Sequence, residues 1–234
     1  MDITTVLFDL DGTLLPMDMD VFTQGYFNLL TQKMAPRGYD PKKLEAAIWA
    51  GTAAMVKNDG SRSNESAFWS TFAQLFGGAS LADIPLFEEF YANEFQQAKN
   101  FCGYNQWAAK AVRAVRAKGL RTVLATNPIF PAVATQSRLR WAGLDPSDFE
   151  LYTTYENCRF CKPNVSYYQD ILDQLSLRAE ECLMVGNDAT EDLAAQALGI
   201  QVFLITDCLI NKTGADISSC PHGSFQDLIQ FVCG

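Results

Sequence analysis

The sequence predicts an α/β fold: a doubly wound parallel sheet, interrupted early in the chain by an inserted α-helical bundle. Three observations carry this expectation. Short β-branched apolar runs recur through the second half of the chain with helical patterns between them. A first run of the same kind, residues 3–8, stands far from the others. The long stretch between it and the second run shows helical periodicity alone.

The first run, "ITTVLF", is apolar at successive positions, as expected of a strand covered on both faces. The later ones are "RTVLAT" at 121–126, "FELYTT" from 149, "CLMVG" at 182–186 and "QVFLIT" at 201–206. Helical patterns at 164–175 and 189–198 lie among them. In the intervening stretch, helices are expected near 21–34, 41–57, 65–76 and 84–99, separated by the turns "APRGYD", "NDGSRSN" and "GGASLAD". Trp49, Phe68, Trp69, Phe72 and Phe76 recur at helical spacing and read as the core of this bundle. The domains expected are an α/β core from 1–17 and 104–234, and a helical unit over 18–103.

At 234 residues the chain accommodates one main core and a smaller one, since single cores rarely exceed ~250 residues. Its apolar fraction of 48% is that of a globular protein, and no apolar run approaches the ~18 residues of a membrane span. A strand beginning near Ile3 leaves no room for a signal peptide, so the expected location is the cytoplasm. The net charge of −9 argues against nucleic acid or an anionic membrane as partner. Seven cysteines, mostly within apolar segments, read as buried thiols rather than a disulfide framework. Oligomeric state is not legible.

In a parallel sheet, ligands bind beyond the carboxyl ends of the strands. After the first strand come Asp9, Asp11, Gly12 and Thr13; after the second, Thr126 and Asn127; after the fourth, Asn187, Asp188 and, a turn later, Asp192. Near the third lies Lys162, followed by a proline. Each group has a plain structural reading: an Asp-Gly turn, a strand end, a solvated lysine, a helix N-cap. An EF-hand is excluded because the ligands and the glycine it requires do not fall in register. Taken together, acids, a hydroxyl and a lysine on one sheet edge permit phosphoryl transfer through an aspartate, with Mg²⁺ neutralising the phosphoryl oxygens. The lone histidine, His222, and the absence of G-x-S-x-G exclude a serine triad, and no glycine-rich nucleotide loop is present.

The motifs "FDLDGTLL", "VLATNP", "CKPN" and "VGNDATEDL", in that order, resemble those of the haloacid dehalogenase superfamily. The resemblance implies a Rossmann-like core and a helical cap that opens and closes over the site. It implies Asp9 as nucleophile and metal ligand, and Asp11 as general acid/base that also binds Mg²⁺. It implies Thr126 as phosphate-binding hydroxyl with Asn127 beside it, and Lys162 as the charge that steadies Asp9 and phosphate. Thr13 and Asp192 are expected in support. Because an acid two residues after the nucleophile suits phosphatases and phosphomutases rather than dehalogenases, Asp11 favours hydrolysis of a small phosphorylated metabolite. A sugar phosphomutase is the nearest alternative; a protein that binds a phosphoryl ligand or partner without turnover is the other.

The fourth motif departs from the superfamily pattern, with Asn187 where a metal-binding Asp is usual and Asp188 one residue later. Either can serve as ligand, and Asp188 is the preferred expectation. Cys158 and Cys161 lack the further ligands of a zinc site and read as inert thiols. Arg62, in the loop "KNDGSRSN", is expected either to reach the phosphate as a selectivity element or to lie in a solvated turn.

Overall fold

The computed structural model describes residues 3–234. Six parallel strands form one sheet in the order β3-β2-β1-β4-β5-β6. They are β1 (Thr5–Phe8), β2 (Arg121–Leu124), β3 (Leu151–Tyr152), β4 (Cys182–Gly186), β5 (Gln201–Ile205) and β6 (His222–Gly223). The helices are α1 (Met19–Met34), α2 (Pro41–Val56), α3 (Asn64–Phe76), α4 (Ile84–Ala92), α5 (Gln106–Ala117), α6 (Ala132–Trp141), α7 (Val165–Leu175) and α8 (Phe225–Cys233).

Every residue of β1 is buried, because the strand is central and covered on both faces. Its alternation divides the core: Val6 and Phe8 join one apolar cluster, and Leu7 joins the other on the opposite face. The register aligns Phe8 with Leu124 of β2 and Val185 of β4, so three strands end side by side. This level edge gathers the loops after β1, β2 and β4.

Between β1 and β2 the chain is helical, with α1 to α4 as its main elements. Asp18 caps α1 by accepting from the N–H groups of Asp20 and Val21, and Phe22, Tyr26, Phe27, Leu30 and Met34 then supply its buried stripe. The inserted segment meets the sheet layer directly. Phe95 lies 5.2 Å from Trp141 of α6, and Tyr26 lies 5.7 Å from Phe130, ring centre to ring centre. One apolar cluster therefore runs from β1 into the inserted helices.

Several details differ from the sequence expectation. α4 stops at Ala92, and a 3₁₀ segment, Glu94–Phe101, continues the path. The helix expected over 189–198 is a capped turn followed by a 3₁₀ segment, Leu193–Leu198. β3 keeps only two residues of strand pairing, and β6 arises within the "CPHG" turn. Trp49 is not core: it is 50% exposed and leans on Phe27, whereas Phe68, Trp69 and Phe72 are buried. No helix among the described residues is long and apolar enough to cross a membrane.

Candidate active site

The backbone N–H of Asp9 donates to the Val185 carbonyl at 2.8 Å, and the Ala125 N–H donates to Phe8 at 2.7 Å. The sheet ladder thus ends at Asp9, between the β2 and β4 loops. Gly12 follows at φ 83°, where an L side chain is strained, and a Cβ there would fall 2.4 Å from Asn187 Nδ2. The loop can therefore close tightly against the β4 loop only with glycine at that position.

Asp9 is held from two sides. Lys162 Nζ, fully buried, donates to Asp9 Oδ1 at 3.0 Å and to Asp192 Oδ1 at 2.7 Å. Thr13 Oγ1 lies 3.0 Å from Asp9 Oδ2 and 2.9 Å from Asn187 Oδ1. Burial pushes the Asp9 carboxyl up to about 7, against the pull of Lys162 and with reinforcement from Asp192 and Asp11. Burial also opposes the charge on Lys162, but the carboxylates of Asp192 and Asp9 outweigh it and keep the ammonium well above its ordinary range. One lysine thus bridges two buried acids.

Asp192 organises the β4 loop. Its Oδ2 accepts from the N–H groups of Asn187 and Asp188, each at 2.9 Å. Gly186 makes this approach possible, since a Cβ there would meet Asp192 Oδ2 at 2.0 Å. The loop sends its two candidate ligands in different directions. Asn187 is buried; its Nδ2 donates to the Cys208 carbonyl at 2.7 Å, and its Oδ1 accepts from the Thr13 hydroxyl at 2.9 Å. Asp188 is half-buried, and its Oδ1 accepts from the N–H groups of Thr190 and Glu191, so it caps the following turn.

Asp11 engages a partner that the sequence reading did not name. Arg138, wholly buried on α6, donates from a guanidinium nitrogen to Asp11 Oδ2. The guanidinium lies 4.3 Å from the centre of the Phe130 ring and also contacts the Thr135 hydroxyl. Asp11 Oδ1 is buried with no hydrogen-bond partner among the described residues. A signal existed: Arg138 falls on the same helical stripe as Ala134, Thr135 and Leu139, where a charge is unusual unless paired.

Thr126 is buried, and its carbonyl accepts from the Thr153 hydroxyl at 2.7 Å and the Tyr167 hydroxyl at 2.8 Å. Asn127 Nδ2 donates to both carboxylate oxygens of Glu191, at 3.0 and 3.1 Å, linking the β2 and β4 loops. Burial pushes Glu191 up to about 7. Glu191 is not marked by the sequence, because "NDATED" carries several acids and spacing alone does not say which one turns inward.

Arg62 is exposed, and its guanidinium reaches back to Ser70 of α3 at 3.4 Å. Its loop does cross to the sheet layer, through Asn64. That fully buried side chain approaches the Pro128 carbonyl at 3.3 Å, the Phe160 carbonyl at 3.4 Å and Cys161 Sγ at 3.3 Å, just before Lys162. Burial pushes the Cys158 and Cys161 thiols up to about 12, which leaves them protonated at neutral pH.

A magnesium ion fits this donor set. Thr13 has one hydroxyl proton but two facing acceptors, Asp9 Oδ2 and Asn187 Oδ1, so one acceptor points at oxygen without a hydrogen. Asp11 Oδ1 is orphaned nearby in sequence. Among the described residues no three His, Cys, Asp or Glu side chains form a metal cluster, so carboxylate, amide and backbone oxygens must share the task. Magnesium accepts such sets, with one or two carboxylates and the remainder from water and phosphate.

A parallel α/β sheet whose strand edge carries a lysine-held aspartate, with helices inserted after that aspartate, defines a hydrolase architecture. Residues 3–199 match the haloacid dehalogenase-like hydrolase family, and the chain belongs to it. No curated protein matches it in sequence. Among solved structures it is similar to a phosphatase of this superfamily from Thermococcus onnurineus, at 16% identity and TM-score 0.60, over 100% of this chain and 99% of that one. It is likewise similar to the hydrolase YfnB of Bacillus subtilis bound to magnesium, at 17% identity and TM-score 0.57, with 100% of both chains covered. A 2-haloacid dehalogenase from Pseudomonas syringae pv. Tomato DC3000 is similar at 17% identity and TM-score 0.63, over 98% and 99% of the two chains. At such identities the likeness is one of fold.

Proposed function

We propose that the protein is a magnesium-dependent phosphatase of small phosphate monoesters that works through an aspartyl-phosphate on Asp9. The observation that carries this reading is the pair of carboxylates at one strand end with separate partners: Asp9 on Lys162, Asp11 on Arg138. A dehalogenase needs the first acid but has no use for the second.

In this reading a carboxylate oxygen of Asp9 attacks phosphorus, the bond to the ester oxygen breaks, and Asp11, protonated for this step on its unpartnered Oδ1 while Oδ2 accepts from Arg138, gives that oxygen its proton. Asp11, now a carboxylate, takes a proton from water as the water attacks phosphorus, and the bond to Asp9 breaks to release inorganic phosphate. Lys162 holds Asp9 in place and offsets charge on the phosphoryl oxygens, with the Thr126 and Asn127 side chains beside it. Asp9, the Asp11 carbonyl and Asn187 Oδ1 would hold magnesium, which when bound supplies charge neutralisation at the phosphoryl group. Asn187 takes the ligand role in preference to Asp188 because its amide oxygen meets the Thr13 hydroxyl that also contacts Asp9, while Asp188 caps a turn. The helices at 18–103 act as a cap, and the location is the cytoplasm.

The test is a parallel assay with magnesium: inorganic phosphate release from 4-nitrophenyl phosphate, and chloride release from 2-chloropropionate. Phosphate release with no chloride release is expected. The reverse pattern would make the chain a dehalogenase.

A further inference from the structure

A cavity of about 150 Å³ lies between the inserted helices and the loops after β2 and β3. Its wall combines Phe22, Tyr26, Ile48 and Trp69 from the helices with Phe130 and Tyr155 from the sheet side. The cavity neighbours the candidate site through Phe130: that ring borders the cavity and also packs against the Arg138 guanidinium that holds Asp11. Met19, also in the wall, opens the helix that follows the Asp9 to Asp11 loop.

The chemistry of this wall is selective. None of its side chains is charged. Its hydroxyls are largely engaged with the protein: Tyr26 and Tyr91 pair with each other at 2.8 Å, and Thr52 donates to the Ile48 carbonyl at 2.9 Å. A sugar or nucleotide placed here would lose its water without gaining partners, and each hydroxyl left unpaired weakens binding. The buried indole N–H of Trp69 faces the Tyr155 hydroxyl without closing a well-aligned hydrogen bond, so the wall holds no strong free donor for a polar guest. As for size, a dry cavity of about 150 Å³ accepts a benzene-sized guest.

We propose that this cavity receives the organic part of the substrate, and that this part is a single aryl ring or a branched alkyl group of like size. The natural substrate class is then an aryl or arylalkyl phosphate, not a polyol or nucleoside phosphate. The inference rests on the phosphatase reading for the reaction, but the cavity's preference is measurable without turnover.

The experiment compares benzyl phosphate with glycerol phosphate as substrates in magnesium, and adds a tryptophan-fluorescence titration with benzyl alcohol, because Trp49 and Trp69 both line the cavity. The wild type is set beside Thr52→Phe, which fills the cavity from α2. Thr23→Phe fills it from α1 and guards against a folding defect in the first variant. In the wild type, kcat/KM is expected to favour benzyl phosphate by about 100-fold, in line with the discrimination apolar pockets achieve. Benzyl alcohol should change the emission saturably. In both variants the preference should fall by about tenfold or more and the saturable change should vanish. Equal kcat/KM for the two esters, or benzyl alcohol binding that is absent or untouched by both variants, overturns the proposal. Phosphate release from neither ester, with benzyl alcohol still bound by the wild type and lost in the variants, sinks the phosphatase reading while sustaining the cavity's assignment.

Discussion

Arg138 and Asp11, separated by 126 intervening residues, form an ion pair in which the arginine is wholly buried and the carboxylate is 19% exposed. The guanidinium is fixed from three directions, by the Phe130 ring, the Thr135 hydroxyl and the Ala134 carbonyl. Asp11 therefore has little freedom, as a proton-transfer group requires. Arg138→Met keeps most of the volume and removes the charge. The expected result is a kcat lowered about 100-fold with KM little changed, the effect of a misplaced catalytic group. Stability should fall by about 2–4 kcal/mol, somewhat below the full cost of breaking a buried pair because Asp11 partly reaches solvent. Urea unfolding and steady-state kinetics of one preparation check both; an unchanged kcat would remove Arg138 from any positioning role.

On the proposed function, Asn187 holds the metal and Asp188 only caps the turn that follows. Asn187→Ala is expected to raise the magnesium concentration for half-maximal activity by about tenfold, a loss of about 1.4 kcal/mol. Asp188→Ala should leave that concentration within twofold and instead lower stability by about 1 kcal/mol, the usual cost of a lost cap. A magnesium titration of both variants with the ranking reversed would return the ligand role to Asp188.

Glu191 gives a pH dependence with a definite sign. Burial pushes its carboxyl up to about 7; Lys162 opposes this, and Asp9, Asp192 and Asp188 add to it. The ordinary value is 4.5, so between there and about 7 the folded chain holds a proton that the unfolded chain has lost. Stability contributed by this group is therefore present at low pH and is lost as pH rises through that window. Glu191→Gln removes the titration and keeps an amide facing Asn127. The Tm of the variant relative to wild type, measured in EDTA, should climb from pH 5 to pH 8. A constant offset would contradict the account.

Much of the site is legible in the amino-acid sequence. Asp9, Asp11 and Thr13 sit within one turn of chain and Asp192 follows a recognisable strand end, so spacing marks their positions; their roles, and that of Lys162, come from the resemblance of the motifs. Arg138 shows in the sequence only as a charge on an apolar helical stripe, and Glu191 and Asn64 do not show at all, for a shared reason. Each matters through a partner distant in sequence, and each looks ordinary in its own helix or turn. Trp49 falls outside the core because helical spacing repeats on every face of a helix, and only packing decides which face is covered. β6 was hidden because a two-residue strand leaves no period to detect.

Asn64 joins the inserted helices to the loop that carries Lys162. Its backbone N–H donates to the Cys158 carbonyl at 2.8 Å while its side chain approaches Pro128, Phe160 and Cys161. Asn64→Ala leaves those acceptors and the Asn58 amide short of a partner, and should lower stability by about 1–3 kcal/mol. KM for phosphate esters should rise as the helices seat less firmly. Unfolding and kinetics indistinguishable from wild type would show that the contact does neither.

The central claim is that Asp9 becomes covalently phosphorylated. Turnover of 4-nitrophenyl phosphate with magnesium is quenched by borohydride, which reduces an acyl phosphate to an alcohol, and the peptides are then sequenced by mass spectrometry. The account expects the reduced side chain at Asp9 alone, and neither labelling nor phosphate release in Asp9→Asn. Wild-type phosphate release with Asp9 unmodified, or full activity in Asp9→Asn, would contradict it.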